Sequence, residues 1–183
     1  LMNLVGVLRH TSGKIYWGGK DIYCLNMENF RNKIGYMGPE PFIISGTVKE
    51  NITYGLKEIP DVESIWEACQ IADAEGFLKQ TEDGLSTKLS DRGEGLSMGQ
   101  KQRLGLARAL LRNPEILILD DVTANLDHKT EEAIIRNIAK LKQGMTILIS
   151  THSVAFDDIA DQILELGEEP TFSIKSQTVS ALL

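Results

Sequence analysis

Two stretches of this chain have residue types and spacing suited to phosphate chemistry. They are Leu96-Ser97-Met98-Gly99-Gln100 and Ile116-Leu117-Ile118-Leu119-Asp120-Asp121. The first is a small-residue loop that opens a helical run. A helix N-terminus offers unpaired backbone N–H groups and the positive end of the helix dipole, so it traps anions. The second is an apolar strand that ends in two carboxylates. Such a strand delivers them to the carboxyl edge of a sheet, where a metal ion and a proton can be handled. Phosphate transfer needs both kinds of part.

The elements that must position these residues follow from periodicity. Gly99 to Leu111 reads as a helix with the apolar set Leu104, Leu106, Ala107, Leu110 and Leu111, stopped by Asn113-Pro114. Ile116 to Leu119 is apolar throughout, as in a parallel sheet covered on both faces. Thr130 to Lys142 reads as an amphipathic helix ended by Gly144, Met145 to Ser150 as a second buried strand, and Gln162 to Leu166 as a third. This alternation implies βαβ units with right-handed crossovers. Upstream, Ile15-Tyr16-Trp17 and Ile34 to Met37 are short strand candidates, and Gly18-Gly19 is a turn. Met27 to Lys33 reads as a short helix or a turn, and short helices are expected at Thr47 to Tyr54 and Ala74 to Lys79. A longer one is expected from Asp61, its N-cap, to Ala72. Leu85 to Gly95 reads as irregular. Thr171 to Leu183 reads as a last strand and a short helix.

Composition narrows the function. A length of 183 residues allows one domain with an ample core. A net charge of −7 argues against a nucleic-acid binder. Cys24 and Cys69 have no paired spacing and read as reduced thiols rather than a disulfide or a metal pair. No apolar run approaches the ~20 residues needed to span a bilayer. His10 and His128 lack a chemical context and are expected to face solvent.

The two stretches resemble the signature and Walker B motifs of ABC-type ATPases, whose pattern reads LSGGQ, then four apolar residues and Asp-Glu. Asp121 to Asp127 resembles the D-loop, Ile149-Ser150-Thr151-His152 the switch-histidine strand, and Ser45 to Ile52 the segment after the Q-loop in exporters. Thr11 to Ile15 resembles the turn between the P-loop helix and the next strand, which would make Leu1 to Leu8 that helix. No G-x-x-x-x-G-K-[ST] occurs: at Gly13-Lys14 the first glycine's place holds Leu8, and Ile15 follows the lysine. By resemblance the chain therefore begins downstream of its own nucleotide cradle.

The resemblance implies a role for each site residue. Ser97, Met98, Gly99 and Gln100 would reach across a dimer interface to ATP held by the partner's P-loop, Ser97 through its hydroxyl and Gly99 through close backbone approach. Asp120 would hold Mg²⁺, largely through water. Asp121 would be the general base, His152 the γ-phosphate sensor, and Asp127 the end of the D-loop. Three positions depart from the pattern. Met98 stands where the family has glycine. Asp121 is one methylene shorter than the family's glutamate. Pro39, in Met37-Gly38-Pro39-Glu40, stands at the Q-loop position, where it offers no side-chain polar atom and no N–H. Glu40 would substitute only if the loop re-registers. Phe42 and Ile44 are either core residues or part of a seat for a transmembrane coupling helix.

The expected fold is α/β: a P-loop-NTPase-like, mostly parallel sheet with helices on both faces and a helical signature subdomain, the N-terminal strands and P-loop missing. Residues 1–183 would form a partial ABC ATPase domain. Its helical subdomain would span about 46–112, its RecA-like core 1–45 and 113–167, and its tail 168–183. The implied function is ATP binding and hydrolysis that drives export through head-to-tail dimerisation, with ATP and Mg²⁺ as cofactors and a degenerate, slow site. Two alternatives stay open: a weakly hydrolysing regulatory module of a heterodimeric transporter, and a soluble ABC ATPase. The implied partners are a second nucleotide-binding domain, identical or not, and a transmembrane domain, with no nucleic acid. The implied location is the cytoplasmic face of a membrane.

Overall fold

A computed structural model describes residues 1–142, 144–166 and 172–176, in two compact units, Leu1–His152 and Ser153–Leu183. The first unit opens in turns and then forms a hairpin of β1 (Tyr16–Trp17) and β2 (Lys20–Asp21). Gly18 and Gly19 close it at φ of 54° and 77°, a left-handed pair that side chains resist. Helix α1 (Met27–Asn32) follows, started by the Asn26 side chain accepting the Asn29 N–H, and leads into β3 (Ile34–Met37). Next come β4 (Gly46–Thr47), α2 (Val48–Ile52), α3 (Val62–Ile71) and α4 (Glu75–Leu78). Then β5 (Lys88–Leu89), α5 (Met98–Leu111), β6 (Ile116–Asp120), α6 (His128–Leu141) and β7 (Thr146–Ser150) complete the unit.

The sheet that positions the site has the order β3-β6-β7, all parallel. The period-two alternation of β3 explains its two covers. Gly35 and Met37 point toward α5: a Cβ on Gly35 would lie 2.7 Å from the Ala109 carbonyl oxygen. One on Gly105 would lie 2.6 Å from Pro41 Cβ and 3.8 Å from Met37 Cε. Glycines at both contact points let α5 sit on the strand. Ile34 and Tyr36 point the other way, into a cluster with Phe30 of α1, Val5, Ile22 and Ile118. Helices thus cover both faces, as the apolar run of β6 requires.

A buried polar knot fixes the segment after β3 onto α5. Asn51 is fully buried. Its Oδ1 accepts the Ile44 N–H at 2.9 Å, and its Nδ2 donates to the Ile44 and Thr47 carbonyls, each at 3.0 Å. Arg108 donates to the Asn51 carbonyl at 2.7 Å and to the Phe42 carbonyl at 3.0 Å, with its guanidinium 4.2 Å above the Phe42 ring. Burial pushes this guanidinium down from 12.5 to about 10, still charged at neutral pH.

Several expectations are corrected. Leu1 to Leu8 forms turns rather than a helix, with Gly6 at φ 66°. Nucleating a helix is costly, and a left-handed glycine interrupts one this short. The strand β7 is not buried: its residues alternate between exposed and half-exposed, because it pairs only with β6 among the described residues. Gln162 to Leu166 is a strand, as expected, but not a buried one. It forms β8, which pairs antiparallel with β9 (Phe172–Ser176) in the second unit, and Leu164 is exposed. The stretch from Leu85 to Gly95 contains β5, which pairs with β4. His10 is half-buried, its ring 5.2 Å from Tyr23, with Nδ1 enclosed and unpaired. His128 is exposed, and both cysteines are free thiols, Cys24 exposed and Cys69 buried. Burial raises the Cys69 thiol to about 12. The helix expected in the tail would lie outside the described residues.

Carboxylates organise three of the helix starts. Glu50 reaches back to the Thr47 N–H, Asp61 accepts the Ser64 N–H, and Asp127 accepts from the hydroxyl and N–H of Thr130. These bonds hold Asp61 and Asp127 below their ordinary 3.8, and Glu50 below 4.5. A carboxylate lowered in the folded state stabilises above its unfolded value and loses that contribution as pH falls through the folded value. The thermal midpoint is expected to hold between neutral pH and about 5, then fall below about 4. Melts followed by circular dichroism across that range test this; an unchanged midpoint at the acid end would refute a role for the caps.

Candidate functional site

Parallel register builds one half of the site. Met37 lies opposite Leu119, and Asp120 opposite Ser150, so β3, β6 and β7 end together. Gly38-Pro39-Glu40, Asp120-Asp121 and Thr151-His152 therefore leave one sheet edge side by side. The Asp121 N–H donates to the Ser150 carbonyl at 2.8 Å, which ties the second carboxylate's backbone to the strand that carries His152. Asp121 is left-handed at φ 51°, a conformation that aspartate and asparagine tolerate better than most side chains. His152 and Pro39 are exposed, and both aspartates are half-buried.

Sequence reasoning missed Tyr36. Its phenol donates to Asp120 Oδ2 at 3.4 Å. Burial first, and then the charge of Asp120, raise the phenol above its ordinary 10.0, so it stays a donor at neutral pH. Tyr36 lies opposite Ile118, two positions before Asp120 on the adjacent strand, a register that the alternation of β3 alone does not reveal.

The other half is the start of α5. The Ser97 side chain accepts the Gln100 N–H at 3.2 Å, and Gln100 Oε1 accepts the Ser97 N–H at 2.9 Å, a reciprocal capping box. The Ser97 hydroxyl keeps its own proton to donate outward. Ser97 is exposed, and Met98 lines a cleft of about 320 Å³ with Glu40, Pro41, Phe42, Ile43, Arg92 and Lys101. Gly99 is buried against Asn125 and Leu126 of its own chain. A Cβ there would lie 3.0 Å from Leu126 Cδ2 and 3.2 Å from the Asn125 carbonyl oxygen. Asp127, the next residue, caps α6. Gly99→Val should cost about 1–3 kcal/mol by overpacking this contact. Chemical unfolding measures the cost, and a variant as stable as the parent would show that the contact yields freely.

The donor set suits magnesium. Among the described residues no three His, Cys, Asp or Glu side chains converge as a metal cage. Magnesium is commonly held by one or two carboxylates, water and substrate phosphates, which the Asp120–Asp121 edge can provide for.

A family model described as ABC transporter matches residues 1–124. The chain belongs to the ABC transporter family. A multidrug resistance ABC transporter ATP-binding and permease protein of Lactococcus lactis subsp. cremoris is 40% identical over 86% of this ABC chain. A probable multidrug resistance ABC transporter ATP-binding/permease protein of Bacillus subtilis is 43% identical over 83%. The chain spans 27% and 26% of these two relatives. A solved bacterial Atm1-family ABC exporter with ATP bound matches 96% of this ABC chain with a TM-score of 0.89 at 27% identity, over 31% of its own length. These matches make it a nucleotide-binding domain of the exporter type. No helix among the described residues is long and apolar enough to cross a membrane.

Proposed function

We propose that this domain binds Mg-ATP at a head-to-tail dimer interface within an ABC exporter and hydrolyses it slowly, on the cytoplasmic face of the membrane. The observation that carries this reading is the shared strand edge, which sets Asp120, Asp121 and His152 side by side. Asp120, oriented by Tyr36, would hold the metal ion. Bound magnesium would neutralise phosphate charge. Asp121 would take the proton of the attacking water and His152 would orient it. Ser97, with the first-turn amides of α5, would meet the γ-phosphate of the nucleotide held by a second such domain.

Pro39 and the short base Asp121 favour a second reading, that of a weakly hydrolysing site in a heterodimeric transporter. The exposed Phe42, with Tyr54 5.2 Å away and Arg108 beneath, supports a seat for a coupling helix of a transmembrane domain. The helical stretch of about 46–112 would act as a subdomain moving against 1–45 and 113–167.

Ser97→Ala in the full-length protein tests the interface. ATP-driven domain closure, followed by cross-linking across the two halves, should fall about tenfold, while ATP affinity of the open form changes less than about twofold. An equal loss of both would place Ser97 on its own nucleotide and defeat the head-to-tail reading.

A further inference from the structure

Gln102 is a buried glutamine whose amide is only half satisfied. It lies one turn into α5 and is 1% exposed. Its Nε2 donates to the Pro39 carbonyl at 3.2 Å, while its Oε1 is enclosed without a donor. The orientation is fixed chemically, because only the NH₂ end can face a carbonyl oxygen. One turn along the same helix, Gly105 meets Pro41 so closely that a Cβ would lie 2.6 Å from the proline ring. Pro39-Glu40-Pro41 therefore rests on the 102/105 face of α5. Two of its three residues have no N–H to offer the orphaned oxygen. A buried amide is an expensive way to fill a helix face, and an enclosed unpaired acceptor calls for an explanation.

We infer that Gln102 is a positioning residue: its amide ties the segment that ends β3, beside Asp120, to the helix whose first turn carries Ser97. The phosphate-facing turn and the loop at the sheet edge are then held by one side chain. Movement of α5 drags Pro39 with it, and release of the amide frees the loop. A lone apolar side chain would fill the same space but would leave the loop free to slide. The consequence for catalysis rests on the hydrolytic reading above; the tie itself does not.

The test is Gln102→Met in the full-length protein, read by the mobility of a spin label placed at the exposed Glu40 and by ATP kinetics. Methionine keeps the volume and removes both the tie and the unpaired oxygen. The label should become more mobile, and the thermal midpoint should not fall. kcat should drop about tenfold with KM for ATP within about twofold. Gln102→Leu, which also lacks the donor, should give the same pattern. Unchanged label mobility in both variants overturns the tie. So does a fall of the midpoint in both variants, which would make Gln102 a general stabiliser. Unchanged kcat in a parent that turns over overturns the positioning role. A parent with no turnover defeats the hydrolytic reading instead, and label mobility still decides the tie.

Discussion

Replacing Pro39 by glutamine and Asp121 by glutamate together is expected to raise ATP turnover of the full-length protein by about tenfold or more, since positioned proton transfer is worth about 10²–10⁴-fold. Affinity for ATP should change by less than about twofold, because a base acts chiefly in the transition state. Asp120 and its Tyr36 contact are untouched by the exchange. The structure adds a cost. Residue 121 is left-handed at φ 51°, and glutamate lacks the local hydrogen bonding that helps aspartate there, so the repaired domain should also lose about 1 kcal/mol of stability. His152→Ala in the repaired background should remove most of the gain. Steady-state phosphate release checks each step. A repaired protein no faster than its parent would mean that Asp121 already serves as an adequate base, and the slow-site reading would go.

Arg108→Ala is expected to have the largest effect on stability. It strips donors from the Asn51 and Phe42 carbonyls and takes the cation from the Phe42 ring. The part-buried Asn51 carbonyl, left unpaired, costs about 1–3 kcal/mol and the ring contact about 1, while the exposed Phe42 carbonyl turns to water, so a loss of about 3 kcal/mol is expected, a fall of roughly 6–12 °C in the midpoint. Arg108→Lys should recover only part of this, because a single ammonium cannot serve two carbonyls in the fork geometry of a guanidinium. Calorimetry on the two variants checks the order. If lysine restores the parent midpoint, charge rather than the fork holds the segment after β3.

The places of Ser97 and Asp120 in the fold were legible because they sit where local rules dominate. A serine before an apolar helical run must cap it, and an unbroken Ile-Leu-Ile-Leu run must be covered on both sides, so Ser97 and Asp120 could be placed from sequence. Asp61 and Asp127 start their helices for the same local reason. What stayed hidden depends on partners distant in sequence. Nothing local tells that Gly99 packs on Asn125 and Leu126, that Tyr36 reaches across to Asp120, or that Phe42 stays outside while Ile43 goes in. The strand β8 was legible within its bounds but not its exposure, because a short apolar run does not reveal its partner; here that partner is β9.

The side of β7 away from β6 has a practical meaning. Thr146-Ile147-Leu148-Ile149-Ser150 carries no charge and no proline, Leu148 is exposed, and β6 is its only partner among the described residues. A row of backbone donors and acceptors with such a sequence is a template for intermolecular pairing. Handled alone and concentrated, these 183 residues would be drawn toward self-association through that edge, and a charged residue in place of Leu148 would be the simplest guard against it.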